Sequence, residues 1–305
     1  MKIVPDARNA PPPPSNGTVA TVGVFDGVHL GHQAILGETT TRARSIGATP
    51  AVLTFRKHPR LLLTGTAPPQ ITSLEHRLVL LERAGIELCL VAEFDANLRE
   101  TSAGEFVRHW LVGRLAVRLL VSGPDAKLGK NREGTPSRIA EMGAFLGFGV
   151  VVVPAVSVGG RPARSSTIRE AIAAGDLDGA AAMLGRRVSL LGKVVRGEGR
   201  GAGLGFPTAN LDLHHELHPP RGVYVVEVEL DGERRRGVLN IGLRPTFGEG
   251  EETVEVHLLD FAGELYDRDL EVELIAKLRD ERRFASPDDL AAQIRDDVDR
   301  ARALR

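Results

Sequence analysis

At 305 residues the chain is longer than one hydrophobic core usually sustains, so it divides into two domains. Its 42% hydrophobic and 26% charged content excludes a disordered or fibrous chain, and 39 basic against 40 acidic side chains leave no positive field to gather nucleic acid. A lone Cys89 excludes an internal disulfide and a cysteine zinc cluster and suits a reducing compartment, with the cytoplasm as default. The opening MKIVPDARNAPPPPSNG has no apolar signal region, and no stretch approaches the ~18 apolar residues of a membrane span.

After an extended lead-in at Pro11 to Pro14, Thr18 to Gly23 reads as a buried strand ending on a glycine. A helix from near His29 through Leu36 and a strand at Ala51 to Phe55 complete a βαβ unit. The alternation continues with a helix at Leu74 to Ala84, a strand at Leu88 to Ala92, a helix opened by Ser102 with Glu105 as its capping-box partner, and a strand at Val117 to Val121. A helix at Ser137 to Leu146 and a strand at Val150 to Val153 follow. The pattern predicts an α/β domain, a Rossmann-like parallel sheet covered on both faces, with ligands at the carboxyl ends of its strands. From about Gly185 the texture changes to strands at Val188 to Val195, Gly222 to Leu230, Arg236 to Ile241, Thr253 to Leu259 and Asp269 to Ala276, with an Asp231-Gly232 hairpin turn. These predict a small closed antiparallel β-barrel. A C-terminal helix capped by Ser286, with Pro287 behind it, carries the stripe Leu290, Ile294, Val298. The expected domains are 1–184 and 185–305.

The segment Gly23-Val24-Phe25-Asp26-Gly27-Val28-His29-Leu30-Gly31-His32 lies between strand and helix, where free backbone N–H groups receive a phosphate. His29 and His32, three apart, share a face of the first turn and can both donate to a nucleoside triphosphate. A capped turn with solvated histidines is the plainer alternative, and it is weaker for two in register.

The pattern G-x-F-D-G-x-H-x-G-H resembles the signature of the adenylyltransferase module in bacterial bifunctional riboflavin kinase/FMN adenylyltransferases. The resemblance implies a nucleotidyltransferase fold in which Gly23, Phe25, Asp26 and Gly27 shape a nucleotide site and His29 and His32 stabilise phosphate charge. Thr54-Phe55-Arg56-Lys57-His58-Pro59 is similar to the family's T-F-x-P-H-P, with His58 in place and Lys57 where a proline is usual. Ser165-Ser166-Thr167-Ile168-Arg169 resembles S-S-x-I-R, which makes Ser165, Ser166 and Arg169 triphosphate ligands by resemblance; unaided, they read equally as a helix N-cap pair and a surface arginine. One segment departs from the family. Where G-x-D/N-F-x-F-G is expected, Gly123-Pro124-Asp125-Ala126-Lys127-Leu128-Gly129 keeps Asp125, implied at the nucleotide, and loses two phenylalanines implied to hold nucleotide and flavin.

In the second half, Gly192 to Asn210 begins as strand and becomes a glycine-rich loop. A dinucleotide fingerprint threaded on Gly197, Gly199 and Ala202 fails because Pro207 and an extended segment follow instead of a helix. The loop can wrap phosphates with its amides, and Thr208 and Asn210, alternating across Ala209, project to one side and could ligate Mg²⁺. The run G-x-x-x-G-x-x-L-G-F-P-T-A-N-L is similar to the riboflavin kinase signature, and Gly237 to Thr246 and Thr253 to Asp260 match two further blocks. By that resemblance Gly197, Gly203 and Asn240 belong to the nucleotide site, Thr208 and Asn210 hold Mg-ATP, and Glu255 is the base for a ribityl hydroxyl. Taken alone, Glu255 is an outward residue on an alternating strand.

The implied function is phosphorylation of riboflavin to FMN in the second half and adenylylation of FMN to FAD, with release of pyrophosphate, in the first. Both use ATP as co-substrate with Mg²⁺. The alternative is a riboflavin kinase whose first half is inactive or takes another acceptor. Riboflavin, FMN and ATP are the expected partners, with no nucleic acid or membrane, in a monomer or weak homo-oligomer. His214, His215 and His218 are expected in a solvated loop, since Pro219-Pro220 follows, and Arg234-Arg235-Arg236 as surface charge.

Overall fold

A computed structural model describes residues 1–197, 199–214, 217–244 and 251–304. Of the segments quoted above, Glu198, His215, Pro245 and Thr246 lie outside these. Met1–Pro68 with Leu74–Ser165 form one compact unit, and Pro69–Ser73 with Ser166–Arg305 a second.

The first unit contains β1 (Lys2–Val4), β2 (Thr18–Val22), α1 (Leu30–Ile46), β3 (Thr49–Phe55), α2 (Arg60–Thr64) and α3 (Leu74–Arg83). It continues with β4 (Leu88–Ala92), α4 (Ala96–Glu100), α5 (Ala103–Phe106), β5 (Val117–Ser122), α6 (Pro136–Leu146) and β6 (Gly149–Val152). The strands pair in the order β1-β4-β3-β2-β5-β6, every pair parallel. Alternate residues feed opposite cores. Leu53, Leu88 and Leu90 pack with Trp110 and Leu111 on one face, and Val52, Cys89 and Val91 with Leu36 and Leu81 on the other. Burial on both faces is why these strands read as unbroken apolar runs. The capping box of Ser102 and Glu105 forms as expected. β1 was not expected: three residues before a proline-rich stretch carry no periodicity, and parallel pairing to β4 makes them a strand.

Two elements close this unit, the paired β7 (Ser157–Val158) and β8 (Arg161–Pro162). Next come α7 (Ser165–Ala174) and α8 (Leu177–Leu184), helices the sequence reading did not assign. The second unit then builds β9 (Ser189–Val195), α9 (Arg200–Gly203), β10 (Ala209–Asp212), β11 (Gly222–Leu230), β12 (Glu233–Arg244), β13 (Glu251–Leu258) and β14 (Asp269–Arg279). These six strands close an antiparallel barrel in the order β10-β13-β12-β11-β14-β9. Asp231 and Gly232, at φ 54° and 83°, make the turn between β11 and β12.

The last helix, α10 (Pro287–Ala303), is capped by Ser286 and packs Val298 and Ala301 on Val223, Val225 and Val238. Two expectations need correction here. Arg236 is not simple surface charge, because it donates to Glu227 Oε1 at 2.9 Å and to the carbonyls of Ala301 and Leu304, so it ties the end of α10 to β12. His218 is not merely solvated, since its Nε2 lies 2.8 Å from Glu252 Oε2 at the start of β13.

Candidate active sites

In the first unit the chain leaves β2 at Gly23 and turns before entering α1. Phe25 (φ 54°) and Val28 (φ 39°) are both left-handed without being glycine, a conformation costing about 1–2 kcal/mol per residue. His29 is the N-cap of α1: its Nδ1 accepts from the His32 N–H at 3.4 Å, and the two imidazoles stack at 3.7 Å between centroids. Gly31 permits this arrangement, since a Cβ there would lie 3.1 Å from the His29 ring.

His32 Nδ1 has no hydrogen-bond partner among the described residues. Burial first, then the neighbouring His29 and Arg77, hold the His32 imidazole well below its ordinary range, so at neutral pH it is an uncharged ring with one N–H. Asp26 is 3% exposed, and its carbonyl accepts from Ser165 Oγ at 3.0 Å.

A cleft of about 260 Å³ opens beside this turn, at the carboxyl ends of β2 and β5, walled by Gly23, His29, His32, Gly123 and Ala126. The strand order reverses around β2, and such a switch point is where open α/β sheets bind ligands. Asp125 also lines the cleft, paired at 3.1 Å with Arg164. The two lost phenylalanine positions separate. Ala126 faces the cleft, whereas Leu128 packs against the core and exchanges backbone hydrogen bonds with Gly134.

Not every expected residue of the first unit lines this cleft. His58 lies outside its lining and accepts the Arg60 N–H at 3.1 Å at the start of α2. Ser166 and Arg169 belong to the second unit, where Arg169 Nε donates to the Pro69 carbonyl at 2.8 Å. Sequence reasoning missed Arg77 on α3, 1% exposed, which donates to the Val24 carbonyl at 2.5 Å. Its signal was present: Leu74, Arg77 and Leu81 share one helical face, so a cation interrupts an apolar stripe.

In the barrel, β10 sets Asn210 opposite Glu255 of β13, and β12 sets Asn240 opposite Glu255 on the other side. Thr208 Oγ1 donates to Glu255 Oε2 at 3.4 Å. Val254 and Val256, on either side of Glu255, are buried, so pleating turns the half-buried carboxylate away from the apolar core. His257 Nδ1 lies 2.8 Å from the Pro207 carbonyl, with Phe206 edge-on to its ring, which fixes the end of the glycine loop. Gly197 is required by close approach, because a Cβ would sit 2.1 Å from Asn210 Nδ2, while Gly203 faces open space. The loop backbone therefore cradles the amide. A hydroxyl, an amide carbonyl and a carboxylate form a hard oxygen donor set that fits Mg²⁺ shared with phosphates. Among the described residues no group of three or more His, Cys, Asp or Glu is placed to hold a metal.

The two folds match two transferase families, one for each half of the chain. Residues 12–167 match the FAD synthetase family and residues 184–305 the riboflavin kinase family. The bifunctional riboflavin kinase/FMN adenylyltransferase of Pseudomonas fluorescens is 42% identical over 305 residues, covering 100% of this chain and 98% of the relative. That of Escherichia coli K12 is 38% identical over 296 residues, covering 96% and 95%. The chain belongs to the bifunctional riboflavin kinase/FMN adenylyltransferase family. It also resembles a crystal structure described as a macrolide-efflux protein from Streptococcus pneumoniae, with a TM-score of 0.83 and 28% identity over 100% of this chain and 99% of the other. Among the described residues of this chain no helix is long and apolar enough to cross a membrane.

Proposed function

We propose that residues 185–305 transfer the γ-phosphoryl group of ATP to riboflavin, and that residues 1–184 transfer AMP from a second ATP to the resulting FMN. The observation that carries this reading is the register of the barrel, which sets Glu255 between Asn210 and Asn240 with the Thr208 hydroxyl on its carboxylate. An alcohol is a poor nucleophile until its proton leaves. Glu255 accepts the ribityl hydroxyl proton as that oxygen bonds to the γ-phosphorus and the bond to the ADP oxygen breaks. Gly197, Gly203 and Asn240 line the nucleotide site, where Thr208 and Asn210 would hold Mg²⁺. When bound, the ion neutralises charge on the phosphates.

FMN needs no such base, because its phosphate is already ionised. An FMN phosphate oxygen bonds to the α-phosphorus of ATP, the bond to the β-phosphate oxygen breaks, and pyrophosphate leaves with the electron pair. His29 and His32 donate to the phosphate oxygens where charge builds, and Gly23, Phe25, Asp26 and Gly27 shape the turn that receives them. Family resemblance adds Ser165, Ser166 and Arg169 at the triphosphate, with His58 and Asp125 at the nucleotide. The protein acts in the cytoplasm as a monomer or weak homo-oligomer.

The test is chromatographic, with the purified chain given FMN, ATP and Mg²⁺. FAD and pyrophosphate in equal amounts support the reading. Ala126, an unstacked cleft wall, favours one specific alternative, a kinase whose first half is silent or takes another acceptor. Conversion of riboflavin to FMN without FAD would establish that alternative.

A further inference from the structure

Arg77 carries a charge in a place where charge is costly. It is 1% exposed, its Nη1 meets the Val24 carbonyl at 2.5 Å, and its Nε and Nη2 have no hydrogen-bond partner among the described residues. Burial lowers its pKa, opposed by Asp26 first and then by Cys89 and Glu75. An arginine kept only for stability would normally have its donors satisfied. The position needs another account, and the backbone it touches supplies one.

The turn between β2 and α1 holds two strained non-glycine residues, Phe25 and Val28, on either side of Asp26 and Gly27. Left-handed residues persist only when their surroundings over-determine them. Gln33 Nε2 donates to the Val28 carbonyl at 2.8 Å, Ser165 Oγ to that of Asp26 at 3.0 Å, and Thr54 Oγ1 to that of Val24 at 3.3 Å. Each of these donors is neutral. Arg77 adds a charge-assisted bond to the same Val24 carbonyl, and such bonds are roughly twice as strong as neutral ones. The cap geometry of His29 and its stacking on His32 begin one residue beyond Val28.

We propose that Arg77 is a positioning residue for adenylyl transfer: from beneath the turn it fixes the Gly23 to Val28 backbone, so that His29 and His32 are aimed at the phosphates before ATP arrives. This rests on reading the cleft as the adenylyl-transfer site. It deepens that reading, because the residue touches no substrate and acts through the backbone. Its proximity also helps keep His32 uncharged.

The experiment compares the parent chain with Arg77→Lys and Arg77→Met, full length, in FAD formation from FMN and FMN formation from riboflavin. Trp110, the only tryptophan of the chain, lies 7% exposed in the first unit's core and reports that unit's folding independently of the turn. Arg77→Met is expected to lower kcat for FAD formation about 100-fold while KM for ATP moves less than about threefold, the signature of misaimed groups rather than lost binding. Arg77→Lys keeps the charge without the planar fork and is expected to lose about tenfold. FMN formation stays at the parental rate in both. If the Trp110 emission of Arg77→Met is that of an unfolded chain, Arg77→Lys decides alone. A folded Arg77→Lys with parental kcat and only a lower Trp110 melting midpoint overturns the proposal and makes the residue structural. A parent chain that makes no FAD overturns the reading of the cleft, and this role with it.

Discussion

The sheet half and the barrel half meet the same co-substrate with different construction. In the sheet half the candidate groups come from one continuous turn of ten residues, Gly23 to His32, whose strained backbone and stacked imidazoles face a cleft at a switch point. In the barrel half they come from separate strands, β10, β12 and β13, whose register puts Asn210, Asn240 and Glu255 side by side. The nucleophile explains the contrast. An ionised phosphate asks only for alignment and charge stabilisation, which a turn provides, whereas an alcohol also asks for a carboxylate beside the phosphate site, which a pleated barrel wall provides.

The sharpest way to break this comparison is Glu255→Gln, which keeps shape and removes the proton acceptor. FMN formation should fall by about 10²- to 10⁴-fold, while FAD formation from supplied FMN stays at the parental rate. Separate chromatographic assays of the two products check it, and an undiminished kinase would remove Glu255 as the base. The reciprocal pair, His29→Ala and His32→Ala, should each reduce FAD formation by about 10²- to 10³-fold and leave FMN formation intact. Parental FAD formation in either variant withdraws that histidine from the mechanism.

The two halves were also unequally legible in the sequence. The histidine turn could be read directly, since a strand, glycines and two histidines three apart are local signals. What could not be read was its shape: nothing in the letters marks Phe25 and Val28 as left-handed, or Arg77, some fifty residues away, as their support. In the barrel the reverse holds. The strands and the Asp231-Gly232 turn are plain from alternation, but the convergence of Asn210 with Glu255 depends on pairing across 45 residues, a tertiary fact. β1 escaped for a related reason, as three residues gain strand character only by joining β4. Arg236 and His218 read as solvated charge because their partners, Glu227 with the end of α10 and Glu252, are remote in sequence or set by register.

Acid should separate the halves more gently. His32 has a folded pKa well below its ordinary 6.5, so between the two values the unfolded chain binds the extra proton and stability rises with pH. The contribution is complete above pH 6.5 and is lost as pH falls from there towards the folded value. Glu227 in the barrel is lowered, chiefly by its hydrogen bond from Arg236, so its contribution is present above about 4.5 and lost as pH falls further. Trp110 sits in the first unit and both tyrosines, Tyr224 and Tyr266, in the second, so thermal melts followed by the two chromophores report the halves separately. The tryptophan midpoint should begin to drop on acidification from pH 6.5, and the tyrosine midpoint only below about pH 4.5. Midpoints that decline together from neutral pH would break the distinction.

The smallest expected effect concerns the feature that sets this chain apart from its family pattern. Only one of the two missing phenylalanines bears on the cleft: half-buried Leu128 packs against the core with its backbone tied to Gly134, and it does not line the cleft. Ala126 lines the cleft and leaves space at its wall. A ring placed there gains about 0.5–1.5 kcal/mol by stacking, so Ala126→Phe should tighten FMN binding roughly two- to tenfold, with kcat for FAD formation and the riboflavin kinase rate unchanged. Titration of FMN fluorescence with the full-length variant measures this. An unchanged affinity would mean that the isoalloxazine does not lie against residue 126, and that the acceptor enters the cleft from another side.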